Sequence, residues 1–252
     1  MNQRLKISIV SYLNSLPLLH GLKNSDLANE IEITEDNPAQ CADKLKTGSV
    51  DIGLIPVAVL KDIQHIAVFS DFCIGCDGAV DSVLLVSQEP LEKIDIILLD
   101  YQSRTSVQLV QVIAKNHWSK NFNYIQAKQG YEKEIVGTTA GVIIGDRALA
   151  ARNRFKFIYD LGAEWKAMTG LPFVFAVWAT TSKLEQNFID KFNKALSTGI
   201  ASIATLSANQ PNSLLNQEAI LDYWTRCIKY EFKDSQQVAM NKFLDLINTE
   251  KS

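Results

Sequence analysis

Short apolar runs alternate with helical patterns along most of this 252-residue chain, and several of the runs stop at a polar knot. "LKISIV" reads as a strand and "LPLLHGLKN" as a helix start. "IEITED" is a short strand. "PAQCADKLKTG" opens with Pro38 and closes at Gly48, the proline-first, glycine-last asymmetry of a helix. "VDIGLIPVAVL" gives strand then helix, hinged at Pro56, and "IAVFSDFCIGC" and "AVDSVLLVS" read as two long strands separated at Gly78. "IDIILLD" is a buried strand before the helix "SRTSVQLVQVIAKNHW". "NYIQA", "AGVIIGD" and "FKFIYDLG" are further strands, and "GLPFVFAVWAT" is a long aromatic one. From Lys183 onward the pattern is helical. This alternation predicts an α/β protein with mainly parallel sheets.

The runs "SVLLVS" and "FVFAVWAT" are long, apolar and flanked by different architecture. They are expected to cross between a discontinuous first lobe, residues 1–86 and 179–252, and an inserted second lobe, residues 87–178. That is the plan of a hinged binding protein with its ligand in the cleft.

Bulk properties narrow the function classes. A net charge of −3 and a pI near 5.7 give nucleic acid no basic surface. No stretch approaches the ~20 apolar residues of a membrane span. The N-terminal "MNQRLKISIV" has too short an apolar stretch for a secretory signal, so a cytoplasmic protein is expected. Cys73 and Cys76 form a CxxC, but only Cys41, Cys227 and three scattered histidines remain as further metal ligands. The pair reads as free thiols in a loop, and no metal or cofactor is expected. His20, His65 and His117 sit away from the strand-to-helix junctions and read as structural or surface residues.

Four polar or turn clusters fall at strand-to-helix junctions, where open α/β sheets bind ligands. They are Ser11, Tyr12, Asn14 and Ser15; Ile55, Pro56 and Val57; Ser103, Arg104, Thr105 and Ser106; and Gly145 with Asp146. Taken locally, "SYLNS" reads as an ordinary helix N-cap. Ser103, Thr105 and Ser106 would set hydroxyls and free amides around a carboxylate, with Arg104 either joining them or pairing with Asp100. No Ser-His-Asp order, HExxH, Walker loop or GxGxxG is present. The residues by themselves thus describe a two-lobed cytoplasmic α/β protein whose cleft binds a small anion. They leave its oligomeric state open.

"ISIVSYLNSLPLLHGL", "VDIGLIPVAVL", "SVLLVSQEPLEKIDIILLDYQSRTSVQLVQVI", "GVIIGD" and "YDLGAEWKAMTGLPFVFAVWA" together resemble the chorismate dehydratase family, which opens the futalosine route to menaquinone. The likeness covers most of residues 5–181. It implies the type II periplasmic-binding-protein fold, with no metal or cofactor, and loss of water from chorismate to give 3-[(1-carboxyvinyl)oxy]benzoate. It makes "SYLN" a wall of the active site. It implies Asn14 as donor to the leaving hydroxyl and Ser82 as a second polar contact. Ser103, Thr105 and Ser106 are then the carboxylate site, with the loops at Ile55–Val57 and Gly145–Asp146 closing the walls. Asp146 is read mainly as the cap of its own helix, with the role of base as the alternative. The chain departs from the family in Ala79, where proline is usual, and in "CIGC". Two other readings stand beside this one. The 1,4-dihydroxy-6-naphthoate synthases share the fold and the anion site, but resemble enzymes with a second-lobe histidine as base, and this chain has no histidine after His117. A non-catalytic solute-binding protein is the other.

Overall fold

A computed structural model describes residues 4–210 and 215–249. Residues 1–3, 211–214 and 250–252 of the expected first lobe lie outside the described residues. The elements run β1 (Leu5–Val10), α1 (Leu16–Lys23), β2 (Ile31–Asp36), α2 (Pro38–Lys46), β3 (Ile52–Pro56), β4 (Ala67–Cys76), β5 (Val83–Ser87) and β6 (Ile96–Leu99). They continue α3 (Thr105–Asn116), β7 (Asn123–Gln126), β8 (Thr139–Ile144), α4 (Asp146–Ala151), β9 (Phe157–Asp160), α5 (Leu161–Thr169) and β10 (Phe173–Thr180). The chain then forms α6 (Gln186–Ala201), α7 (Ile203–Asn209), α8 (Gln217–Asp222), β11 (Lys229–Glu231) and α9 (Asp234–Thr249).

Local chemistry sets several of these bounds. Helix α2 begins in a capping box: the Asn37 side chain accepts from Gln40 N at 2.9 Å, and Gln40 Oε1 accepts from Asn37 N at 3.1 Å. It ends just before Gly48, whose φ of +71° suits a helix stop. Strand β1 buries Ile7 through Val10 on both faces, as an interior strand covered by helices should.

Two sheets result, ordered β11-β4-β10-β3-β1-β2 and β7-β6-β8-β5-β9. Both are mixed. The helical crossovers make β1, β2 and β3 neighbours in parallel, and likewise β6, β7 and β8. Strands β4, β5, β9, β10 and β11 pair antiparallel. Mainly parallel sheets were the expectation, and strand directions correct it. A strand that arrives from the other sheet has no helical crossover to hold it parallel, and an apolar run carries no mark of direction.

The crossing points also shift. Strand β5 lies in the second sheet and β10 in the first. The chain therefore changes sheets at residues 77–82 and again through α5, rather than near 86 and 178. The two apolar strands look alike in sequence; the loop and the helix before them carry the crossing.

Cys73 and Cys76 sit at the end of β4, fully buried, not in a loop. Cys41 and Cys227 are buried as well, and all four are free. Burial pushes the Cys41 thiol up to about 12 and the other three up in the same direction. A thiol reagent such as DTNB is therefore expected to leave the native protein unlabelled at neutral pH and to label it on denaturation. Fast labelling without denaturant would contradict this packing. No helix among the described residues is long and apolar enough to cross a membrane.

Candidate active site

The carboxyl ends of β1, β3 and β8 and the N-termini of α2 and α3 converge on a cavity between the two sheets, the usual place for a ligand in an open α/β fold. Its floor and sides are apolar: Val10, Pro56, Ile74, Val83, Ile144 and Phe175. Its polar wall is Tyr12, Asn14, Ser82, Ser103, Thr105 and Ser106. No lysine, arginine or histidine is among the lining residues.

"SYLNS" is not a self-capping helix start. A 3-10 turn, Leu13–Ser15, leads into α1, and neither end has a side-chain cap from within the motif. The Leu13 amide instead donates to Asp146 Oδ1, at 3.0 Å, from the second sheet's side of the cavity. The Ser15 hydroxyl donates to the Val10 and Tyr12 carbonyls. Ser11 is exposed and off the cavity. Asn14 lines the cavity, and its Oδ1 is shielded from solvent with no hydrogen-bond partner among the described residues. A buried amide oxygen left unpaired costs on the order of 1–3 kcal/mol. The end of the amide left without a partner is thus its acceptor, where the sequence reading expected a donor to the leaving hydroxyl.

Ser82 is 1% exposed and stands at the mouth of β5. Its hydroxyl oxygen accepts from Tyr223 at 2.8 Å. Its carbonyl accepts from Gly145 N at 2.8 Å, which joins the start of β5 to the end of β8. The loop before it is shaped by Asp160, the aspartate of "YDLG". That carboxylate accepts from Val80 N, Asp81 N, Gly162 N and Ala163 N at 2.7–3.1 Å. Asp81 is held at φ +64° and pairs with Arg152. Ala79 lies exposed in this loop, away from the cavity lining.

The "SRTSV" cluster divides its labour. Ser103 Oγ accepts from Ser106 N at 2.9 Å and is a helix cap. Thr105 Oγ1 donates to the Phe175 carbonyl at 3.0 Å and accepts from Ala58 N at 3.3 Å, fastening α3 to the first sheet. Ser106 alone of the three has a hydroxyl with no partner among the described residues, set in the first turn of α3. Arg104 does not line the cavity, and Asp100 pairs instead with Arg147, Nη2 to Oδ2 2.5 Å. Of the 55–57 loop only Pro56 reaches the cavity; Ile55 and Val57 are core residues. Asp146 is the first residue of α4 but caps Leu13, not its own helix. Burial raises its carboxyl above the ordinary range.

Gly145 takes φ 63° and ψ −146°, a conformation open essentially to glycine. A Cβ there would meet the Tyr12 ring at 2.8 Å. Tyr12 in turn donates to Gln102 Oε1 at 2.6 Å. Gly145→Ala is expected to destabilise the fold by about 1–3 kcal/mol through backbone strain, and to raise KM by pushing Tyr12 aside. Thermal melts and steady-state kinetics check both, and a variant with wild-type Tm and KM would contradict the contact.

Three residues were not legible as site residues: Tyr223, Trp224 and Tyr230. Trp224 Nε1 donates to the Leu13 carbonyl at 2.7 Å, and the Tyr230 hydroxyl donates to the Asn14 carbonyl at 2.9 Å. In sequence they belong to "AILDYWTRCIKYEF", which reads as an amphipathic helix. The signal available was three aromatics with polar tips within eight residues. The structure breaks that helix with a π-turn at Tyr223–Cys227.

Comparison with known proteins agrees with this geometry. A protein from Archaeoglobus fulgidus has the same fold at 14% identity, with a TM-score of 0.78 over 98% of both chains. The alkanesulfonate-binding protein of Xanthomonas axonopodis pv. citri aligns at 13% identity and a TM-score of 0.63, over 98% of this chain and 93% of that one. A Candida albicans protein described as having the generic periplasmic binding protein fold aligns at 14% identity and a TM-score of 0.64, over 98% and 90%. These fix the fold as periplasmic-binding-protein-like. A chorismate dehydratase of Thermus thermophilus is 23% identical over 96% of this chain and 94% of that protein. The model of a family described as menaquinone biosynthesis matches residues 5–249, nearly the whole chain, and the chain therefore belongs to the menaquinone biosynthesis family.

Proposed function

We propose that the protein is a lyase that removes water from chorismate to give 3-[(1-carboxyvinyl)oxy]benzoate. The family and the name of the Thermus relative support this substrate. The single observation that carries it in the structure is Asn14: a shielded, unpartnered amide oxygen beside a serine hydroxyl, in an uncharged cleft. Such a pair suits one neutral hydroxyl group on a ligand.

The ring hydroxyl leaves together with the hydrogen on the adjacent ether-bearing carbon. The ring becomes aromatic, so the step runs strongly downhill. The protein mainly has to hold the ring and stabilise the departing oxygen. The apolar floor takes the ring. Asn14 Oδ1 accepts a hydrogen bond from the ring hydroxyl, and the Ser82 hydroxyl donates to its oxygen as the C–O bond breaks and charge develops on it; the hydroxide and the proton taken from the adjacent carbon together make the water lost. The Ser106 hydroxyl and the N-terminus of α3 bind a carboxylate without a full positive charge. Asp146 stands off the cavity with its carboxylate engaged on Leu13. A carboxylate of the substrate is then the base.

Ser106→Ala is expected to raise KM about tenfold, the scale of one hydrogen bond to a charged group, with kcat little changed. Steady-state kinetics on chorismate read this split, and a fall in kcat at unchanged KM would assign Ser106 elsewhere. Four buried free cysteines support a reducing compartment, and we place the reaction in the cytoplasm. Incubation with chorismate tests the proposal: one product lighter by one water should appear as the absorbance of the cyclic diene falls. Tight binding of chorismate with no conversion would instead make the protein a binding module.

A further inference from the structure

The C-terminal segment reaches the cavity wall from behind with three polar-tipped aromatic side chains. Trp224 and Tyr230 hold the backbone carbonyls of Leu13 and Asn14. Tyr223 touches a side chain instead: it donates to Ser82 Oγ at 2.8 Å. We propose that Tyr223 is a positioning residue for the dehydration, turning the Ser82 proton toward the cavity beside the free Asn14 oxygen. This rests on the chorismate reading above.

The hydrogen-bond inventory carries the inference. A tyrosine hydroxyl has one proton. It goes to Ser82 Oγ. Asn14 Oδ1, also on the cavity wall, has no partner among the described residues. Ser82, having accepted from Tyr223, keeps its own proton to give. Among the described residues that proton finds only the Val80 carbonyl, at 3.4 Å. A ligand oxygen at ordinary hydrogen-bond distance, about 2.8 Å, makes the better bond. Donor and acceptor thus end up side by side, as a hydroxyl group both giving and taking a hydrogen bond requires.

Tyr223 itself is 2% exposed. Burial holds its hydroxyl well above the ordinary phenol range, so it keeps its proton and aligns the relay without supplying a proton. The π-turn at Tyr223–Cys227 provides the placement. Single π-turns within helices are found frequently at functional sites.

The test is Tyr223→Phe, alone and combined with Ser82→Ala. Alone it should lower kcat about tenfold, the effect of one hydrogen bond, with KM nearly unchanged and circular dichroism preserved. In the Ser82→Ala background it should have little further effect, because Tyr223 acts through Ser82. A wild-type kcat in Tyr223→Phe overturns the proposal, as does an equal loss in both backgrounds, which marks a purely structural role. A second readout needs neither substrate nor variant. In the ligand-free wild-type protein, the Tyr223 hydroxyl proton should exchange slowly and give NMR cross-peaks to the Ser82 β-protons. Their absence overturns the proposal even if Tyr223→Phe does not fold. Wild-type protein that leaves chorismate unchanged counts against the substrate, and the NMR result still decides the positioning role.

Discussion

Asn14→Asp is expected to lower kcat on chorismate by about a hundredfold or more, the usual loss when one polar group at the reacting oxygen fails. Aspartate has nearly the shape of asparagine, so packing around the 3-10 turn should survive. The hydrogen-bond pattern should not. An ionised carboxylate has no N–H to give. It also sets a negative charge beside a dianionic substrate and a departing hydroxide, in a cavity whose lining has no cation to offset it. Kinetics on the purified variant, with circular dichroism as the folding control, measure this. A near-normal kcat would reduce Asn14 to a residue of the helix entry.

Gly199→Ala should be the most damaging small substitution for stability. Helices α1 and α6 cross backbone to backbone. A Cβ at Gly199 would lie 2.0 Å from the Pro17 carbonyl oxygen, and one at Gly21 would lie 2.1 Å from the Ala195 carbonyl oxygen. Neither obstacle is a side chain that can swing away, so the helices must separate. Overpacking of this kind costs about 3 kcal/mol or more at the severe end. For a chain of this length that is a drop in Tm of roughly 6–12 °C. Helix α1 follows directly from the turn that carries Asn14, so kcat should fall with it. A melt within a degree or so of wild type would show that the crossing is looser than described.

Much of this was legible in the sequence, for physical reasons. The period-two and period-3.6 patterns marked the strands and helices, and Pro38 and Gly48 punctuated α2, while the Asn37 capping box appeared only in the structure. The cavity wall at Tyr12, Asn14, Ser103 and Ser106 was legible because polar residues at strand ends stand out against apolar runs. What was not legible depends on contacts between distant segments. Thr105 looks like an anion ligand in "SRTSV", but its hydroxyl is used up by Phe175 and Ala58. Asp146 looks like a cap for its own helix, and caps Leu13 instead. Arg104 is the nearer arginine to Asp100 in sequence, while Arg147 is the one that reaches it. Tyr223 belongs to an amphipathic pattern that accounts for its burial without hinting at its hydroxyl. Strand direction, likewise, leaves no trace in an apolar run such as "SVLLVS".

The central claim is loss of water from chorismate, with the hydrogen taken from the carbon next to the leaving hydroxyl. Chorismate labelled with deuterium at the ether-bearing ring carbon tests it most directly. Wild-type protein should convert it to 3-[(1-carboxyvinyl)oxy]benzoate that carries no deuterium, with the label passing to water. Product that retains the label, or labelled chorismate recovered intact from a stable complex, would contradict the account.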